Sequence, residues 1–275
     1  MKLHVEIQGT GFPILCLHGH PGSGRSMSVF TNFLSQKYQT IAPDLRGYGK
    51  SRPTNRFKME DHLDDLEELL ERLEIKRCLL LGWSLGGILA LELALRLPQK
   101  FTGLILIASA ARPRSNHPPI TWLDLLYTGI AGIINYLKPG WQWNIDTFGK
   151  QSLFRYLLTQ QNAQAYHYLA KEGVPAYLKT STAAHQSLSQ AISQGYNRLQ
   201  ELQLLDLPCL ALAGAEDRHI TAISSEETAN ALSSCQWRCF SNTAHLFPWE
   251  IPNLVQEEIE QWLDDYPETV MEKAN

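Results

Sequence analysis

Gly82-Trp83-Ser84-Leu85-Gly86-Gly87 is the stretch on which the fold turns. A run from Arg77 to Leu81 leads into it, and a helical pattern from Ile88 to Leu97 follows at once. A serine with glycine two positions to either side, at a junction of strand and helix, marks a sharp turn that only close backbone approach permits. Such a turn lifts the hydroxyl to the carboxyl edge of a sheet and sets the positive end of a helix beneath it. A chance Gly-x-Ser-x-Gly in an ordinary loop would lack the strand before, the helix after and the extra Gly87. Ser84 is the candidate nucleophile.

The flanking sequence repeats this alternation. Ile14 to Leu17 ends abruptly at His18-Gly19, Gln39 to Ala42 ends at Pro43-Asp44, and Leu104 to Ala108 is a further apolar run. A short strand, Leu3 to Ile7, precedes them. Between them, Asp61 to Leu73 puts Leu63, Leu66, Leu69, Leu70 and Leu73 on one helical face, with acids opposite that read as solvated surface. Alternation resumes with Pro208 to Ala213, a helix around Glu226 to Leu232, a strand Gln236 to Phe240 and a final helix Pro252 to Leu263. Continuous apolar strands separated by amphipathic helices predict an α/β fold, with a mostly parallel twisted sheet covered on both sides.

Residues 112–200 break the pattern. Strand signals vanish, and 12 of the chain's 26 aromatic residues fall here. Pro113, Pro118, Pro119, Pro139 and Pro175 are expected to cut the region into short helical pieces. One core, residues 1–111 and 201–275, with a helical cap inserted at 112–200, accounts for this better than two consecutive domains. Ile120 to Leu137 is the longest apolar stretch, but Asp124 and Asn135 make it too polar for a membrane span. Buried lid helices are expected there, with contact to a lipid surface as the alternative.

Composition excludes several classes. Hydrophobic content of 44% and charge of 19% are those of a globular protein, and a net charge of −4 argues against nucleic-acid binding. Met1-Lys2-Leu3-His4-Val5-Glu6 does not read as a secretory signal. Cys16, Cys78, Cys209, Cys235 and Cys239 are odd in number, spread out and without zinc-site spacing. Four of them, Cys239 of the Gln236 to Phe240 run included, lie in apolar runs that read as buried strands, and reduced, structural thiols and a cytoplasmic location are expected.

A serine needs a base. His245, in Asn242-Thr243-Ala244-His245, follows a strand and so stands at the same sheet edge as Ser84, with His219 and His20 as rivals. The base in turn needs an acid to hold its tautomer. Gly214-Ala215-Glu216-Asp217 follows another strand, and either Glu216 or Asp217 could serve, with Asp217 preferred. The chain order Ser84, Asp217, His245 suits a sheet of this kind. The backbone amides of Leu85 and His20, the latter in His18-Gly19-His20-Pro21-Gly22, are placed to form an oxyanion hole, while the His18 ring is expected to brace its loop. No metal or organic cofactor is needed.

Together these segments resemble the α/β-hydrolase superfamily along nearly the whole chain, with Asp44-Leu45-Arg46-Gly47-Tyr48-Gly49-Lys50-Ser51 similar to its segment after the next strand. The resemblance implies a serine hydrolase acting on a carboxylic ester through an acyl-enzyme, with residues 112–200 covering the site. It also implies that one N-terminal strand of the eight-stranded plan is missing. The elbow and Ala244-His245 are similar to the pimeloyl-acyl-carrier-protein methyl ester esterases, a short likeness shared with meta-cleavage hydrolases and carboxylesterases. Thioester or carbon–carbon bond hydrolysis, or a non-catalytic receptor of the same fold, stay open. The 112–200 region carries eight Lys or Arg against three acids, a local +5 that leaves −9 for the rest of a chain totalling −4. Such asymmetry would steer a small-molecule substrate bearing a carboxylate, a coenzyme A thioester or an acyl carrier protein, or else is scattered charge of no consequence.

Overall fold

A computed structural model describes residues 1–53 and 55–271. Seven strands form one sheet: β1 (Val5–Gln8), β2 (Pro13–Leu17), β3 (Gln39–Pro43), β4 (Cys78–Trp83), β5 (Phe101–Ile107), β6 (Cys209–Gly214) and β7 (Cys235–Phe240), in the order β1-β3-β2-β4-β5-β6-β7. Only β1 runs antiparallel, against β3, and the remaining neighbours are parallel. This is the α/β-hydrolase fold.

The helices are α1 (Ser28–Leu34), α2 (Glu60–Arg72), α3 (Leu85–Arg96), α4 (Trp122–Leu137), α5 (Gln142–Thr147), α6 (Ala163–Tyr168), α7 (Val174–Leu178), α8 (Thr182–Ser193), α9 (Ala222–Ala231), α10 (Phe247–Glu250) and α11 (Pro252–Asp265). Strand side chains alternate between two buried layers, as a sheet covered on both faces requires. Leu15, Leu17, Leu80, Leu104 and Leu106 join Leu66, Leu70, Leu89 and Leu93 of α2 and α3. Ile14, Cys16, Leu79, Leu81, Ile105 and Ile107 join Phe30, Leu34, Val255, Ile259 and Trp262 of α1 and α11. The central strands β2, β4, β5 and β6 all run the same way. Their carboxyl ends therefore gather the following loops along one edge of the sheet.

Four expectations change. The acidic face of α2 is not all solvated: Asp65 is buried and takes a bidentate ion pair from Arg46, with Nε and Nη2 both at 2.6 Å. A guanidinium fork suits that carboxylate geometry, so an acid can be tolerated inside. Cys239 is exposed rather than buried, because β7 is the edge strand and one of its sides faces solvent. Pro175 does not break its helix. The run from α6 to α7 is continuous through a π-turn at Leu169–Gly173, and that wider turn lies where the proline ring would otherwise press on the preceding carbonyls. Finally, α4 is not a buried lid helix, since Trp122, Leu125, Leu126, Ile133, Tyr136 and Leu137 are all exposed. Among the described residues no strand lies between β5 and β6, and no helix is long and apolar enough to cross a membrane.

Candidate active site

Ser84 sits between β4 and α3 with φ +54° and ψ −116°, a backbone conformation that L-residues rarely adopt. Hydrogen bonds from both sides hold it there. Its N–H donates to the Ile107 carbonyl at 2.8 Å, and the Ser109 hydroxyl donates to its carbonyl at 3.0 Å. The glycines around it are sterically obligatory. A Cβ on Gly82 would stand 2.4 Å from the Gly86 carbonyl oxygen, and one on Gly86 would stand 2.0 Å from that of Leu17. The elbow thus tolerates no side chain where β2, β4 and α3 converge.

The loops at the neighbouring strand ends complete the constellation. The His245 Nε2 lies 3.1 Å from the Ser84 Oγ, and its Nδ1 lies 2.7 Å from the Asp217 Oδ2. A carboxylate only accepts, so Nδ1 carries the proton and Nε2 is left to accept from the serine hydroxyl. The second oxygen of Asp217, Oδ1, accepts from the backbone N–H groups of His219 and Ile220 at 2.7 and 2.9 Å. All three side chains are buried. Glu216, the other acid considered, is exposed, and the structure brings Asp217 rather than Glu216 to the histidine.

The rival histidines are otherwise engaged. The His219 ring stands edge-on to His245, with centroids 4.7 Å apart, at the cavity wall. The His20 ring hydrogen-bonds the Tyr48 hydroxyl at 2.7 Å and His185 at 2.9 Å. His18 is fully buried and accepts the Leu45 N–H on Nε2 at 3.0 Å. Its Nδ1 must then carry hydrogen and donate to the Gly19 carbonyl at 2.8 Å. Burial pushes His18 down to about 4, so it stays neutral in this bracing role. Gly19 lies against the serine, where a Cβ would come within 3.1 Å of the Ser84 Cβ. The N–H groups of His20 and Leu85 donate to no protein acceptor among the described residues. Leu85 opens α3 directly after Ser84, and His20 lines the same cavity as Ser84.

A cavity of about 510 Å³ opens onto this edge. Trp83, Trp249 and Leu246 supply its wall on the core side, and Ile120, Leu153, Phe154, Leu157 and Leu169 supply it from the region between β5 and β6. Among the described residues no lysine, arginine, aspartate or glutamate lines it, so a bound group there meets apolar carbon, with Ser84, His245, His20, His117, His219, Ser26 and Ser115 as polar exceptions. Among the described residues no cluster of His, Cys, Asp and Glu could hold a metal ion.

One residue that the sequence pattern did not single out ties the two regions together. Glu250 is buried, and burial raises its carboxyl above the ordinary range. Its Oε1 accepts the Ala244 N–H at 2.8 Å, directly before His245, and its Oε2 accepts the N–H groups of Thr159, at 2.9 Å, and Gln160. Nearby, Leu246 N–H donates to the Leu157 carbonyl at 2.9 Å. The available signal was an acid closing the apolar run Leu246-Phe247-Pro248-Trp249, five positions after the histidine. Such an acid is rarely left without partners.

The alpha/beta hydrolase fold family matches residues 13–136, which run from β2 into the last turn of α4. Across 256 residues the chain is 25% identical to the uncharacterized hydrolase YugF of Bacillus subtilis, covering 91% of this chain and 89% of that one. Among solved structures it is similar to a thermophilic esterase from Thermogutta terrifontis (TM-score 0.73, 25% identity, 96% of this chain and 93% of that one). An esterase from Exiguobacterium antarcticum superposes with a TM-score of 0.72 at 20% identity, over 95% of each chain, a likeness of fold.

Proposed function

We propose that this chain is a serine hydrolase that cleaves a carboxylic ester through an acyl-enzyme, with residues 112–200 as the cap over its active site. The single observation behind this reading is a strained Ser84 whose Oγ is 3.1 Å from an imidazole already oriented by Asp217. Strain of this kind persists only where surrounding contacts over-determine it, and such positions cluster at functional sites. The likeness to an esterase of known structure points the same way.

In this mechanism His245 Nε2 takes the Ser84 Oγ proton as Oγ attacks the acyl carbon. Asp217 holds the imidazolium that results and is not itself protonated. The N–H groups of Leu85 and His20 receive the carbonyl oxygen as it becomes an oxyanion, where fixed dipoles act without reorganising. His245 then gives its proton to the departing alkoxide. Water, deprotonated by the same nitrogen, attacks the acyl-enzyme and frees the acid and Ser84.

The wall of the cavity favours an uncharged, apolar acyl or alcohol group, since a buried charge there would have no partner. Ion pairing also bears on the idea of anionic steering. Arg112 and Arg114 pair with Glu227, Arg155 with Asp124, Lys150 with Asp146, and Arg198 with Glu92 and Glu201. Much of the cap's positive charge is thereby neutralised locally, which supports a neutral ester over a substrate carried on coenzyme A or an acyl carrier protein.

A fluorophosphonate probe tests the nucleophile. Wild-type protein is expected to label and Ser84→Ala to remain unlabelled, and labelling that survives the substitution would overturn the assignment. A series of p-nitrophenyl esters of increasing acyl length, set beside an acyl thioester and a diacid methyl ester, then reads the acyl preference. Turnover confined to the thioester would replace the ester reading.

A further inference from the structure

Helix α4 is built inside out. Its buried positions are Asp124, Ala131 and Asn135, and its exposed ones are almost entirely apolar. Asp124 accepts from the Thr121 N–H and hydroxyl at 2.8 and 2.7 Å and pairs with Arg155 at 2.7 Å. The Asn135 side chain donates to the Ala170 carbonyl at 2.8 Å and accepts from the Gly140 N–H at 3.0 Å. Facing outward, Trp122 is 70% exposed, Ile133 67%, and Tyr136 and Leu137 both 76%. A surface helix bathed in water normally shows the opposite arrangement.

The patch extends beyond the helix. Trp141 and Trp143 after it, and Tyr177 and Leu178 of α7, are also exposed. Between α4 and α7 runs an apolar groove of about 450 Å³ bordered by Ile133, Tyr136, Leu137, Tyr177 and Leu178. Its far wall is Leu153 and Phe154, the same pair that walls the catalytic cavity, so the two spaces share one partition. A soluble monomer seldom leaves so much contiguous apolar surface open.

Charge at the rim has one sign. Each acid between residues 112 and 200 is spent on an ion pair: Asp124 with Arg155, Asp146 with Lys150, and Glu172 with Arg25. Lys138, Lys171 and Lys179 are exposed and have no ion-pair partner among the described residues. Lys138 follows α4 directly and lies 4.4 Å over the Trp141 ring, while Lys179 follows Tyr177-Leu178. Apolar side chains outward, tryptophan and tyrosine at the border, and free ammonium groups beside them make the pattern of a helix lying in a bilayer interface.

We propose that the outer face of α4, with Trp141, Trp143, Tyr177 and Leu178, docks on the surface of a membrane rich in anionic phospholipid, with Lys138, Lys171 and Lys179 against its phosphates. The attachment is interfacial rather than spanning, consistent with the absence among the described residues of a helix able to cross. It stands independently of the reaction assigned to Ser84. Where that reaction operates as well, docking sets the partition Leu153–Phe154 between the lipid phase and the serine.

Flotation of the full chain with vesicles of phosphatidylcholine alone, or of phosphatidylcholine and phosphatidylglycerol in equal parts, tests this directly. Binding is expected to the anionic vesicles and to fall on adding salt. Ile133→Glu combined with Leu137→Glu should weaken it on the order of tenfold or more. Lys138→Gln and Lys179→Gln should each weaken it about fivefold on anionic vesicles only. Unchanged circular dichroism and unchanged fluorophosphonate labelling would verify that these surface variants remain folded. Absence of binding to either vesicle overturns the proposal, as does binding that ignores the Ile133 and Leu137 substitutions. A dimer in lipid-free buffer that those substitutions dissociate, without vesicle binding, would instead assign the face to a second copy.

Discussion

The sheet edge around Ser84 and the outer face of α4 invert one another. At the edge, polar groups are inside and bonded to one another: Ser84, His245 and Asp217 are buried and joined in one chain of hydrogen bonds, on a backbone packed so closely that glycine is required. On α4 polar groups are also inside, yet the apolar groups are outside, and beyond the helix's own backbone no atom of the described residues comes within 4 Å of where a Cβ on Gly129 or Gly132 would stand. Glycine therefore means opposite things in the two regions. At the elbow it removes atoms that would collide, and on α4 it leaves open space. The first region has been shaped by its own packing, and the second by whatever lies against it.

Removing the acid from the edge should have the largest effect. Asp217→Asn is expected to lower kcat by about 10⁴-fold with the fold retained, because the imidazole loses the partner that holds its Nδ1 proton. Ester turnover measured beside circular dichroism checks this, and a loss below tenfold would mean that Asp217 is not the orienting acid.

The glycine contrast comes next. Gly86→Ala places a carbon 2.0 Å from the Leu17 carbonyl oxygen, with backbone on both sides unable to yield. Destabilisation of about 3 kcal/mol or more is expected, or failure to accumulate folded protein. Gly132→Ala, in the open middle of α4, should instead stabilise by about 0.4–1 kcal/mol. Urea unfolding of the two variants settles both signs, and equal effects would remove the contrast between the regions.

Glu250 joins the loop before His245 to the Thr159–Gln160 segment between β5 and β6, so its replacement probes that joint. In Glu250→Gln an amide NH₂ must face N–H groups of Ala244, or of Thr159 and Gln160, that now meet carboxylate oxygens. A loss of about 1.5–3 kcal/mol is expected. Hydrogen exchange should then rise at both Thr159 and Ala244. Exchange that rises on one side only would show that the two loops are not held together through this carboxylate.

Acid should loosen the core side more gently. His18 and His62 are buried, and burial lowers them to about 4 and about 3. The unfolded chain takes up these protons below about pH 6.5, where the folded chain does not. Stability is accordingly full above pH 6.5 and declines as the pH falls toward 4. Among the described residues His62 Nδ1 has no hydrogen-bond partner, so His62→Leu should flatten this acid limb in a plot of Tm against pH. An unaltered slope would place the sensitivity elsewhere.

What could be read without the structure was whatever depends on local pattern. The strand order of events, the elbow and the loops bearing Asp217 and His245 each carry a short-range signature: an apolar run, a turn residue, a helix start. Those signatures located the edge because parallel strands all deliver their loops to one side. Local pattern carries no such signature where partners come from far along the chain. Asp65 lies on a helix face that reads as solvated because Arg46 is distant in sequence, and Glu250 is not marked by its neighbours because the amides it holds belong to other segments. The apolar residues of Ile120–Leu137 announced a helix but not which way it faced.

The sequence by itself determined the sheet, the nucleophile elbow and the candidate partners of Ser84, since periodicity and steric necessity at glycine are written residue by residue. Only the tertiary structure decided that Asp217 rather than Glu216 meets His245, that among the described residues no lysine, arginine, aspartate or glutamate lines the cavity beside Ser84, and that α4 turns its apolar side outward. Those three are questions of direction in space. A helix or loop pattern states which residues share a face, but the neighbour that face meets is set by contacts across the whole chain.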